Sequence, residues 1–121
     1  MISVLIKGRT RMVLNIYIIS AYRQRAFFIL QKLKEILDDD FIFETYEYLR
    51  TETVQYKIET LNKNLFDKLR NHHVDQVILD YTYLSDYDIE SIKNYLREYS
   101  CVPEEFQIIN AEEILGIKEE E

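Results

Sequence analysis

The chain has 121 residues, 47% of them hydrophobic and 31% charged, with a formal net charge of −7. That is the size and composition of one globular domain with a single sizeable core, outside the disordered class. With only two glycines, neither a P-loop nor a dinucleotide-binding GxGxxG can be written, and the excess of acid repels a nucleic-acid backbone over most of the surface.

Residues 2 to 6, ISVLI, and 11 to 20, RMVLNIYIIS, read as two strands turning at Gly8. A start at Met12 would instead make the first eleven residues a leader. Lys7, Arg9, Arg11, Arg23 and Arg25 form the one dense basic group, which a solvated turn and a helix face explain, so nucleic acid is not an expected partner. VLNIYII is almost continuously apolar, as in a strand covered on both faces. Ser20 is then expected to cap a helix with an apolar face at Tyr22, Ala26, Ile29, Leu30, Leu33, Ile36 and Leu37. Asp38, Asp39 and Asp40 close it. Three consecutive side chains splay too widely to share a metal ion.

FIFETYEYL and TVQYKIET read as two strands joined at Arg50-Thr51-Glu52. The second alternates Val54, Tyr56 and Ile58 with Gln55, Lys57 and Glu59, which suggests one face in water and a place near a sheet edge. A short helix through Leu61, Leu65 and Leu69 leads to His72 and His73. Adjacent histidines diverge, so they suit the end of a helix better than chelation of one ion.

DQVILDY is a second apolar strand, and Ser85 with Asp88 forms a capping box for a helix carrying Ile89, Ile92 and Leu96. Cys101 is the single cysteine, which precludes an intrachain disulfide, and beside Val102 and Pro103 it reads as a small buried hydrophobe. EFQII is a last strand. Asn110 with Glu113 caps a short helix expected to end at Gly116. No apolar run approaches transmembrane length and no secretory signal is visible, so no membrane association and a cytoplasmic location are expected.

Residues 1 to 121 are thus expected to form a single domain of α/β (α+β sandwich) class, with a mixed sheet of about five strands and three helices. Two arrangements fit. One is a ferredoxin-like βαββαβ core with an extra helix and strand, which the hairpin favours. The other is a flavodoxin-like parallel sheet in which residues 53 to 60 are an insertion.

From residue 75 to residue 111 the chain resembles the receiver domain of response regulators. DQVILDY is similar to the strand that ends in the phosphoacceptor aspartate, here Asp80. DYDIESIKNYLREYS resembles the helix after it, and QIINA the next strand with its switch position, here Asn110 followed by Ala111. The acid pair that holds Mg²⁺ after the first strand is replaced by Ser20, Ala21 and Tyr22, and the terminal lysine is missing. The resemblance therefore implies a degenerate receiver that is not phosphorylated in the usual way, with no catalytic residue assigned.

Three functions are compatible with these residues. The first is a non-enzymatic acidic interaction or regulatory domain that binds a protein partner or itself as a homodimer, with Tyr46, Tyr48, Tyr56, Tyr81, Tyr83 and Tyr87 as candidate interface residues. The second is binding of a small phosphorylated ligand or nucleotide at the strand carboxyl ends by Ser20, Arg23, Asp80 and Asn110. The third is metal-dependent nuclease or phosphoryl-transfer chemistry at Asp80, Asp86 and Asp88. Helix capping already explains the last two acids, so no metal and no cofactor is expected.

Overall fold

The computed structural model describes residues 13–37, 43–45, 48–100, 102 and 106–119. The expectations for the first strand, for Asp38 to Asp40, for Tyr46 and for Cys101 lie outside these residues. Strand β1 (Leu14–Ser20) leads to helix α1 (Arg23–Leu37), then to the short strands β2 (Phe43–Glu44) and β3 (Tyr48–Arg50) and to β4 (Val54–Thr60). Helix α2 (Leu65–Leu69), strand β5 (Gln76–Leu79), helix α3 (Asp86–Tyr99), strand β6 (Gln107–Asn110) and helix α4 (Glu112–Glu119) complete the order.

The strands form one mixed sheet in the order β2-β3-β4-β1-β5-β6. Strand β1 runs parallel to both β4 and β5, and β5 parallel to β6, while β3 is antiparallel to β4 and to β2. The fold is α/β, and its four parallel strands follow the flavodoxin-like alternative. A ferredoxin-like core would set the first strand antiparallel to its neighbours, and here it is parallel to both. Two details of the alternative change. Strand β4 belongs to the parallel set, and the inserted element is the hairpin of β2 and β3. Strand β4 is also interior, between β3 and β1, not at an edge.

Period-two side chains of β1 divide the core. Ile16 and Ile18 pack with Ala26, Ile29, Leu30 and Leu33 of α1, with Leu49, Tyr56 and Ile58, and with Leu115 of α4. Tyr17 and Ile19 point the other way, into a cluster with Leu65 and Leu69 of α2 and Ile89, Ile92 and Leu96 of α3. Helices thus cover both faces of β1 and β5, as their continuous apolar sequence requires. Turn chemistry fixes the rest. Thr51 Oγ1 accepts from the Thr53 and Val54 amides at 3.3 and 3.1 Å, which closes the β3–β4 hairpin. Ser85 Oγ accepts from the Asp88 amide at 3.0 Å, the expected cap of α3.

Three local expectations change. Ser20 is the buried last residue of β1, not the cap of α1, which starts at Arg23. Helix α4 continues through Gly116 to Glu119. The histidines do not cap α2: Asn71 turns the chain at φ 63°, a left-handed position asparagine tolerates, and the rings of His72 and His73 engage Tyr17 and Asp75.

Leu33 is buried in the first cluster, whereas Ile36, on the same expected stripe, is exposed. Leu33→Ala should lower unfolding stability by about 2–5 kcal/mol in urea, and Ile36→Ala by less than about 0.5 kcal/mol. Equal costs would show that the phase of α1 is wrong. Tyr17 offers a test by pH. Burial pushes its phenol above the usual value, and the nearby Glu59 carboxylate adds to this. The folded state favours the neutral phenol, so this contribution is complete below about pH 10 and is lost as pH rises past it. Between about pH 9.5 and 11 the parent chain should lose more stability than Tyr17→Phe.

Candidate functional site at the strand carboxyl ends

In a parallel sheet, ligands settle outside the strand carboxyl ends where the winding reverses. Here the chain passes from β1 to β4 on one side and then to β5 on the other, so the reversal lies between β1 and β5. Those strands present Ser20 and Asp80 there. The Asp80 amide bonds the Ile19 carbonyl at 2.9 Å, and Leu61 N–H bonds the Ser20 carbonyl at 2.9 Å, so the backbone holds both in place.

Asp80 has no solvent exposure. Its Oδ2 accepts from Ser20 Oγ at 2.9 Å and from Arg25 Nε at 2.8 Å. Its Oδ1 accepts from Arg25 Nη2 at 3.4 Å and from the Thr82 amide at 3.3 Å. Arg25 reaches it from the first turn of α1, one turn before the buried Ile29 and therefore on the same helix face. The guanidinium continues to Thr82 Oγ1 at 3.1 Å and to Glu112 Oε2 at 3.2 Å, and Thr82 Oγ1 donates to the same carboxylate at 3.0 Å. One arginine thereby joins α1, the end of β5 and the start of α4. Hydrogen bonding to Asp80, with the charges of Asp80 and Glu112, raises the Arg25 pKa further above its ordinary value, against some loss of hydration.

This geometry limits the chemistry available. Both Asp80 oxygens are occupied by donors, so the carboxylate can serve as nucleophile or metal ligand only after Arg25 swings away. Of the four residues expected to hold a ligand, the structure joins only Ser20 and Asp80 by a side-chain hydrogen bond. Asn110 stands beside Leu79 in the β5–β6 register. The Asn110 amide oxygen instead accepts from the Glu112 amide at 3.0 Å, capping α4. Arg23 is exposed, two residues before Arg25 and so on another side of the helix. The arginine that completes the cluster is Arg25, and its spacing of four from Ile29 was the signal for it in the sequence.

Asp86 and Asp88 stand in the first turn of α3, where they complement the helix dipole. Among the described residues no three His, Cys, Asp or Glu side chains are grouped so as to hold a metal ion. None of the described helices is long and apolar enough to cross a membrane.

The tyrosines separate by position. Tyr56 is buried in the core, Tyr48 is half-buried on the hairpin, and Tyr81 is half-buried with Lys93 Nζ 5.4 Å from its ring centre. Tyr83 is 58% exposed and lies over Arg25, with the guanidinium carbon 5.8 Å from its ring centre. Tyr22, 59% exposed, meets Tyr83 edge-on at 5.5 Å. Phe28, also exposed, stands 6.0 Å from Arg25 and 5.5 Å from Lys32 Nζ. Tyr87, on the first turn of α3, is exposed at the same end of the sheet. Comparison with known protein families, with curated proteins and with solved structures finds no match to this chain.

Arg25→Met should cost about 3–5 kcal/mol of stability, because it leaves a buried carboxylate without its cation. The double change Arg25→Met with Asp80→Leu should recover most of that loss, since an apolar pair has no charge to desolvate. Urea unfolding of the parent and the two variants measures both. Equal losses in the single and double variants would contradict the pairing.

Proposed function

We propose that the protein is a non-enzymatic interaction domain that works by protein–protein contact at the carboxyl ends of its sheet, with a second copy of itself as the partner. One observation carries the reading: the exposed rings of Tyr22, Phe28 and Tyr83 gather around Arg25, which a buried carboxylate holds in place. Aromatic and arginine side chains dominate the energetics of protein interfaces. The patch carries both signs of charge, with Lys32 beside Phe28 and Glu112 bonded to Arg25. A two-fold axis can therefore set each sign against the other, as a self-complementary interface needs. The net charge of −7 opposes association only weakly, because salt screens charges beyond about 8 Å under physiological conditions.

Strand β4 offers no edge for pairing, and Tyr56 is core, so the contact proposed is this aromatic patch and not the hairpin. Light scattering across a concentration series should give a mass that rises from one copy toward two. Tyr83→Asp should hold the protein as a monomer, and an exposed substitution of this kind should change stability by no more than about 0.5 kcal/mol. A monomer mass for the unaltered protein at high micromolar concentration would defeat the self-association reading.

A further inference from the structure

A second concavity lies at the opposite, amino end of the same strands. Helices α2 and α3 cover β1 and β5 on one face of the sheet, and α2 reaches β4 through the pair of Lys68 with the buried Glu59, while Gln55 and Lys57 of β4 and Tyr48 of β3 are left partly open. This open part forms the floor of a cavity of about 310 Å³, walled by the loop that carries His72 and His73. Small-ligand sites begin at about 300 Å³. Register accounts for the lining. Tyr48, Lys57 and Tyr17 lie in one cross-strand row, and Gln55 and Asn15 in the next, so all five share a face.

The neutral groups of this floor satisfy one another. Tyr48 Oη donates to Gln55 Oε1, Gln55 Nε2 donates to Asn15 Oδ1, and Asn15 Nδ2 donates to the His73 carbonyl. The basic groups are only loosely held. Lys57 Nζ lies 3.9 Å from Glu59, beyond hydrogen-bond range, while Lys68 holds that carboxylate at 3.3 Å. Among the described residues, Lys57 makes no hydrogen bond. His72 meets the Tyr17 hydroxyl through Nδ1 at 3.3 Å, and its Nε2 has no partner among the described residues. With the Tyr17 hydroxyl donating to Nδ1, the neutral ring carries its proton on Nε2, the nitrogen without a partner among the described residues. An acidic chain has thus gathered Lys57 and the His72 ring at one polar cavity, where both are open to a ligand that brings acceptors.

We infer that this cavity binds a small organic anion, a phosphate ester or a carboxylate on a planar body, with its acid group between Lys57 and His72 and its ring against Tyr48. The strand carboxyl ends, where such a ligand would ordinarily sit, are closed by Arg25 and Asp80, so this site is independent of the aromatic patch.

The test is an amide-resolved NMR titration of the full chain with adenosine 5′-monophosphate, 4-hydroxybenzoate, inorganic phosphate and neutral adenosine. One of the two planar anions should move the Asn15, Gln55 and Lys57 signals with a Kd below about 1 mM, and at least about tenfold more tightly than adenosine or phosphate alone. Which anion does so distinguishes a phosphate from a carboxylate ligand. Lys57→Met should weaken binding by about tenfold or more with an unchanged unfolding midpoint, because Lys57 is exposed and Lys68 still pairs Glu59. His72→Gln gives a second reading of the same loss. Signals that stay fixed up to about 10 mM ligand, that shift equally in Lys57→Met, or that map to Ser20 and Arg25 would overturn the site.

Discussion

Asp80 ends an inner strand with no water around it, and a charge in that position costs several kcal/mol unless it is paired and hydrogen-bonded. The first turn of α1 meets the requirement with Arg25, and Ser20 and the Thr82 amide fill the remaining acceptor positions. Because the cation comes from a helix and the anion from the sheet, the pair fixes how α1 seats on β1. Through Glu112 it also ties the start of α4 to the same point. Exposed ion pairs contribute little, but this one is largely closed to solvent, with side-chain exposures of 22% and 0%. Its effect is mainly positional. It holds a cation under aromatic rings that would otherwise sample many rotamers.

That constraint separates the two ends of the sheet. The carboxyl end, where parallel α/β sheets ordinarily hold ligands, is plugged by a satisfied ion pair and presents aromatic surface. The amino end is open because the helices leave Gln55, Lys57 and Tyr48 partly open, and that floor is polar. The strand order therefore accounts for both an end closed by an ion pair beneath exposed aromatic rings and an end that forms a polar cavity.

Much of this was legible in the chain. IYII and VIL are apolar throughout because helices cover both faces, and Ser85 with Asp88 marked the start of α3. The position of β4 was not legible. Its alternation of Tyr56 and Ile58 with Gln55 and Lys57 suggested an edge, but alternation reports which faces are covered, and an interior strand missing one layer alternates equally well. Ser20 misled for a related reason. A serine before a helical run matches a cap, yet its hydroxyl serves a carboxylate sixty residues away in sequence, and no local pattern shows that. The same long-range partnership singled out Arg25 over Arg23.

The account turns on Asp80 being an anchor and not a reactive acid, although it stands where the resemblance to receiver domains would put a phosphoacceptor. Intact mass spectrometry after incubation with acetyl phosphate and Mg²⁺ tests this most directly. With Arg25 on both carboxylate oxygens and Ser20, Ala21 and Tyr22 where a receiver's acid pair would stand, the mass should stay unchanged. A gain of one phosphoryl group that disappears in Asp80→Asn would contradict the account.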